Sequence, residues 1–309
     1  MMSNAKLPFP FASRILALVC LFCGNAYAQS GSLSGDFDPA RIGWSRVDMS
    51  ASKMLLSMRV TVDMNHSADP LPKGSLRNPL KGQPVPTSDL VTTMNFDSEG
   101  LGRRSVVELL LNSANGAALQ RSSDDSGSKQ RRRIYRFTDS GAYRWTWKPM
   151  SGEEDQRADS WSDQESEMRV YSAHASQGPV TEAGALIYLV AASRIEKPGD
   201  YFEVLAFSSS SDELQRVRVE FVTVERGKVN YKEVTTTGKI RHKKRLDLIR
   251  VRIAGVTGDS NKGKEFELLG LQQVELLIDP VSRAPLELSG KVPFFGRVAF
   301  SLDELTPTD

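Results

Sequence analysis

Cysteine is nearly absent from this chain: both copies, Cys20 and Cys23, fall within the first 23 residues. The remainder can form no disulfide, offer no thiolate nucleophile and supply no cysteine ligand to a metal. Histidine is also scarce, with His66, His174 and His242 far apart and in unrelated contexts. No HExxH, GxSxG, P-loop or GxGxxG pattern occurs. A triad assembled from distant residues is a matter of geometry and stays open at this level. The acids Asp159, Asp163, Glu165 and Glu167, and Asp259 with Asn261, match no twelve-residue calcium loop. These absences predict a non-enzymatic protein with no cofactor and no metal.

Long apolar runs are missing too. The longest, Ile15 to Cys23, has nine residues. As a helix it rises about 13 Å, far short of a hydrocarbon core of ~30 Å. With Lys6 and Arg14 before it, and Ala26-Tyr27-Ala28 placing small residues at −3 and −1 of a cut before Gln29, residues 1–28 read as a cleaved signal peptide. Val19 and Phe22, rather than small residues, precede the two cysteines, which argues against lipid attachment. The expected destination is a Gram-negative periplasm, with eukaryotic secretion as the alternative. The expected product is not an integral membrane protein, and its oligomeric state is not legible. The full chain has 40 basic and 38 acidic residues. Export would remove Lys6 and Arg14 and leave no net charge. With no zinc-finger, helix-turn-helix or RNP pattern, no nucleic-acid partner is expected.

What remains, residues 29–309, reads as one large antiparallel β domain. Leu56, Met58, Val60, Val62 and Met64 alternate with Ser57, Arg59, Thr61 and Asp63, the period of a half-buried strand. Arg216 to Glu225 and the segment Asp247 to Ile253 repeat the pattern. Further strands are expected near 90–97, 105–112, 132–138, 142–148, 168–173, 201–207, 229–237, 271–278, 285–289 and 297–302. Turns are expected at Asp139-Ser140-Gly141, Glu225-Arg226-Gly227 and Gly258-Asp259. One helix is predicted over 181–193, with Thr181 as its cap and Lys197-Pro198-Gly199 as its stop. Two long loops interrupt the pattern. Residues 66–88 carry five prolines and two glycines, and residues 151–167 carry seven acids against one arginine. Each reads as surface loop or as cover for the mouth of a cavity.

The stretch Ala142 to Pro149 places Tyr143, Trp145 and Trp147 at every second position. Paired across a turn with Tyr135 and Phe137, the five aromatics are expected to share one face. That face could be core, the lining of an apolar pocket, or a partner surface. Arg136, Arg144 and Lys148 would form its basic reverse. A second basic run, Lys239 to Arg252, contains Lys243, Lys244 and Arg245. These six cations are the candidate face for an anionic partner such as phospholipid or lipopolysaccharide headgroups. Solvated strand faces partly neutralised by the acidic loop are the plainer reading.

From Gly184 to Phe221 the chain gives a short helix, a Lys-Pro-Gly-Asp turn and paired strands. From Val274 to Leu305 it gives a strand, an Asp279-Pro280 turn, Ala284-Pro285 opening the next strand, and Gly296 before the last. This ending resembles the exported bacterial proteins grouped as domain of unknown function 3108 (DUF3108). The resemblance covers about residues 180–305. It implies a curved antiparallel sheet or incomplete β-barrel with one short helix packed against it, a shape similar to periplasmic lipoprotein carriers. Two functions are therefore expected in competition. One is a non-catalytic periplasmic β protein binding an apolar or amphipathic ligand or a cell-envelope component, with the aromatic stripe as lining. The other is a structural or interaction protein of the envelope with a solid core.

Overall fold

The computed structural model describes residues 37–53, 56–100, 102–171, 178–256, 265–293 and 295–308. The expected signal peptide and both cysteines lie outside them, as do His174, Asp259 and Asn261. Eight strands follow one another as an antiparallel meander: β1 (Trp44–Lys53), β2 (Leu56–Ser67), β3 (Val91–Gly100), β4 (Arg103–Asn112), β5 (Ala118–Gly127), β6 (Arg131–Phe137), β7 (Gly141–Lys148) and β8 (Asp163–Val170). Then come β9 (Val180–Glu182), a 3-10 turn at Ala183–Ala185 running into helix α1 (Leu186–Ala192), and β10 (Tyr201–Ser208), which pairs parallel to β9. The last part holds β11 (Glu213–Thr235), β12 (Gly238–Gly255), β13 (Glu267–Leu268), β14 (Leu271–Ile278), β15 (Pro285–Val292) and β16 (Gly296–Pro307). All belong to one large curved sheet, in which β16 joins the two parts by pairing antiparallel to β1. The molecule is mainly β with one short helix, as the period-two pattern predicts.

The sheet closes on itself only in part. β14 covers β12 from Ile249 to Ile253 and no further, and β15 pairs with β16 only up to Ser301. Where β15 ends, β11 takes its place: Lys232 and Glu233 pair with Glu304 and Leu305 of β16. Strands β11, β12, β14, β15 and β16 therefore pair in a closed circuit, while β8 and β9 end the path as edges.

Rows of paired residues across the meander show how the interior is made. One inner row runs Met64, Met94, Leu109, Arg121, Tyr135, Arg144, Glu167; the next runs Val62, Phe96, Val107, Ser123, Arg133, Thr146, Glu165. The inner face is apolar from β1 to β4, and from β5 to β8 it mixes charged and hydroxyl side chains with the core residues Tyr135, Phe137 and Ala142. Helix α1 fills the apolar part. Leu186, Ile187, Tyr188, Leu189 and Val190 are all buried, and side chains of this size contribute on the order of 10 kcal/mol together as an upper limit. The Tyr188 hydroxyl donates to the Ser113 carbonyl at 2.6 Å. Gly116, at φ +68°, lets the β4–β5 turn approach so closely that a Cβ there would meet Leu189 Cδ2 at 2.5 Å.

Arg283, buried in the turn between β14 and β15, caps the far end of the helix. Its guanidinium donates to the carbonyls of Val190 (2.9 Å), Ala191 (3.2 Å), Ser193 (3.2 Å) and Ile195 (3.4 Å). Burial pushes its pKa down, to about 10, which leaves it charged at neutral pH. At the other end Glu182, rather than the expected Thr181, accepts the Gly184 amide at 2.6 Å.

Three expectations are corrected. The turn at Glu225-Arg226-Gly227 is the middle of β11, a single strand from Glu213 to Thr235. A Cβ on Gly227 would meet Leu248 Cδ1 at 2.6 Å, so that glycine serves close packing. Strand β5 was not expected, because Ser122 to Ser126 is polar on both faces. Part of the acidic loop, Asp163 to Glu167, belongs to β8.

Both long loops lie on the outer face of the sheet between β3 and β7, and neither reaches the cleft that opens into the interior. Leu71, Leu76 and Val85 of the first pack on Val91, Leu110 and Leu119; Trp161 of the second packs on Ile134 and Trp147. Three outward side chains satisfy the backbone of the proline-rich loop. Asn112 donates to Pro86 and accepts from Ser88, Gln120 donates to Ser75 and accepts from Arg77, and Arg136 donates to Val85 and Leu119. Replacing Arg136 with methionine should lower stability by about 2–3 kcal/mol, since buried carbonyls lose their donor. Limited proteolysis should then cut first within residues 66–88; a parent-like cleavage pattern would refute this role for Arg136.

Candidate cleft and charged surfaces

The register between β6 and β7 decides where the aromatics go. Tyr135 pairs with Arg144, Arg136 with Tyr143, and Ile134 with Trp145. Tyr143, Trp145 and Trp147 thus share one face, as expected, but Tyr135 and Phe137 lie on the other. The expected single aromatic face does not form. Tyr135 and Phe137 belong to the main core, their rings each 5.7 Å from Phe207. Trp145 and Trp147 sit on the outside under the two loops, with the Arg77 guanidinium 4.7 Å from the Trp147 ring centroid. This is cation–π packing. Tyr143 donates to Ser166 Oγ at 3.1 Å.

The basic reverse is likewise dispersed. Arg136 is buried on the outer side beneath the first loop. Arg144 points inward and pairs with Glu167 and, at 2.6 Å, with Asp212. Lys148 pairs with Glu165 at 2.5 Å. The acidic segment neutralises this part of the molecule. Lys243, Lys244 and Arg245 are exposed on β12.

One cleft opens into the interior, with a volume of about 370 Å³. Its apolar wall comes from β2, β3, β4 and β16: Met58, Val60, Phe96, Val107 and Phe300. Its polar wall is Arg121 of β5, Arg133 of β6, Glu182 and Ser208 to Ser210. None of the five expected aromatics lines it, and neither long loop contributes a residue. Arg121 is 8% exposed. Its Nε lies 3.3 Å from Glu182 Oε1, which also accepts from Ser209 Oγ at 3.1 Å. Arg121 Nη1 is buried and has no hydrogen-bond partner among the described residues; the same holds for Arg133 Nε. Arg133 otherwise reaches Asp125 and the Ser209 carbonyl, both at 3.4 Å.

Charge in this corner is strongly coupled to burial. Burial first, and then neighbouring Arg131 and Arg121, push the Arg133 guanidinium below its ordinary value. Burial raises the Tyr135 hydroxyl, which donates to Asp212 at 3.0 Å. Burial also acts to raise Asp125, but the Ser105 hydroxyl and the guanidiniums of Arg131 and Arg133 outweigh it, and the carboxyl falls below the usual range. A desolvated guanidinium with an unused N–H beside an apolar wall is suited to gripping an anionic group whose remainder is apolar. Known protein families, curated proteins and solved structures contain no match to this chain. The assignment of the site rests on its own geometry.

A larger concavity, about 940 Å³, lies on the outer side between β11 and β1 to β3. Its charges already pair with one another: Arg46 with Asp48, Arg104 with Asp97, and Lys232 with Glu304. His66 contacts Thr92 Oγ1 at 2.9 Å, and His242 lies 2.8 Å from Glu233; neither lines the cleft. Among the described residues, no three histidine or acidic side chains converge as metal ligands. No helix among them is long and apolar enough to cross a membrane.

Proposed function

We propose that this chain is an exported, non-catalytic binding protein whose cleft takes an amphipathic molecule with an anionic head. The tail lies along Met58, Val60, Phe96, Val107 and Phe300, and the head meets Arg121. The observation that carries this reading is the buried Nη1 of Arg121, left without a partner on the wall facing Met58, Val60, Phe96, Val107 and Phe300. The volume falls within the ~300–1,000 Å³ typical of small-ligand sites.

Titration with cis-parinaric acid, a fluorescent fatty acid, tests it. The parent should bind saturably, and Val107→Trp, which fills the cleft from its partly exposed wall, should weaken binding by at least about tenfold. The corresponding alcohol, lacking the charge that a guanidinium rewards by about 1.5–3 kcal/mol, should bind about ten- to a hundredfold more weakly than the acid. Absence of saturable binding by the parent, or equal affinity for acid and alcohol, would sink the reading. In the first case the solid packing around α1 favours a structural protein of the envelope instead.

A further inference from the structure

The two strands that complete the closed circuit carry a feature the fold does not require. Between Arg226 and Asp247 there are eight basic residues and two acidic ones. Paired residues share a face, and the register sets Lys228 opposite Arg245, Asn230 opposite Lys243 and Lys232 opposite Arg241. Seven cations, Arg226, Lys228, Lys232, Lys239, Arg241, Lys243 and Arg245, therefore stand on one side of the ribbon, all exposed. The other side is fixed inward: Val229 and Leu248 are in the core, and Tyr231 and Leu246 pack against it. Lys244 and Ile240 share that second side but are exposed, and Asp247 stands opposite Arg226 on the cationic side, which runs for about 30 Å.

Like charges directly opposite each other destabilise a sheet. Charge on the free edge of β12 guards against edge-to-edge pairing, but one or two lysines suffice for that. Glu304 neutralises Lys232 and Lys239, and Arg241 donates to Asn230. Among the described residues, no carboxylate forms an ion pair with Arg226, Lys228, Lys243 or Arg245. Exposed Val224 stands on the same side at the base of the ribbon, and exposed Ile240, opposite Glu233, lies on the other side near its tip. No aromatic stands on the cationic side to stack on a base, and its one amide, Asn230, is engaged. A lattice of cations with exposed aliphatic side chains at base and tip fits a surface that offers both negative charge and an apolar interface.

We propose that this ribbon docks the protein on an anionic lipid bilayer through the phosphate groups of its lipids. The docking is independent of the cleft. Each basic residue near such a surface adds about 1 kcal/mol, and the attraction falls with salt. Co-sedimentation of the full chain with vesicles of phosphatidylcholine, alone or mixed with phosphatidylglycerol, reads it directly. The parent should bind the mixed vesicles, release them at high salt and ignore the neutral ones. The variant combining Arg226→Gln, Lys228→Gln, Lys243→Gln and Arg245→Gln should lose about a hundredfold or more in partitioning. Its melting temperature should be close to the parent's, because relief of the like-charge Lys228–Arg245 pair offsets loss of the Arg226–Asp247 pairing. Val107→Trp should bind vesicles as the parent does, which separates this test from that of the cleft. Equal partitioning of the quadruple variant and the parent would overturn the proposal. So would a parent that ignores the anionic vesicles and retards duplex DNA.

Discussion

Exchanging Arg283 for methionine should cost about 3–5 kcal/mol of folding free energy and lower the melting temperature by on the order of 10 °C. The helix it caps has seven residues and lies in the apolar part of the interior, where water cannot replace a lost donor. Four main-chain carbonyls at 2.9–3.4 Å would lose their common partner. Methionine preserves most of the side-chain volume, so the loss reports hydrogen bonding rather than a cavity. Arg283 also sits at φ +59°, a region that glycine tolerates better. Arg283→Gly should therefore regain a few tenths of a kcal/mol of backbone strain while still losing the cap. Thermal or urea unfolding followed by circular dichroism measures both. A variant within about 1 kcal/mol of the parent would mean that the helix end is satisfied in another way.

Glu182→Gln should act in two opposite directions. In the empty protein the single amide oxygen of glutamine can still accept from Gly184 while its NH2 donates to Ser209 Oγ in place of Oε1, but it leaves Arg121 as an uncompensated buried charge. Breaking a buried pair in this manner costs about 3–5 kcal/mol. An anionic ligand would then find a guanidinium with no competing carboxylate, so cis-parinaric acid should bind about tenfold more tightly than to the parent. By mass action it should also restore part of the lost stability as its concentration rises. The alcohol should restore none. Loss of stability without tighter binding would leave Arg121 and Glu182 as a structural pair and remove the head-group site from the cleft.

How much of this could be read from the residues varies by region. β2 declares itself because one of its faces is core and the other is solvent, and Met58 to Met64 alternate accordingly. β5 does not. Its inner positions Arg121, Ser123 and Asp125 line the polar corner, its outer ones Gln120 and Ser122 meet a loop or polar neighbours, and neither face is oily. The aromatic hairpin shows how parity misleads. Four residues, Thr138 to Gly141, separate Phe137 from its partner Ala142. An even separation pairs odd-numbered residues with even ones, which sends Tyr135 inward and Tyr143 outward. Alternation fixes which residues of one strand agree with each other, but only the turn fixes agreement between strands. The cleft was invisible for a related reason. Arg121 and Glu182 are 61 positions apart, and no local pattern marks either as buried. The basic residues of β12 stand in one legible run, but their partners Arg226 and Lys228 follow a Glu-Arg-Gly sequence that reads as a turn and is strand.

The position of β16 sets the order in which the molecule can be completed. The outer edge of β1 is exposed as soon as the meander forms, and that edge waits for the residues of β16. Those residues supply three seams at once, to β1, β15 and β11. Until then the nascent protein carries open strand margins prone to foreign pairing. Removing a few residues from β16 would consequently harm the whole assembly far more than the same loss from the tip of either long loop.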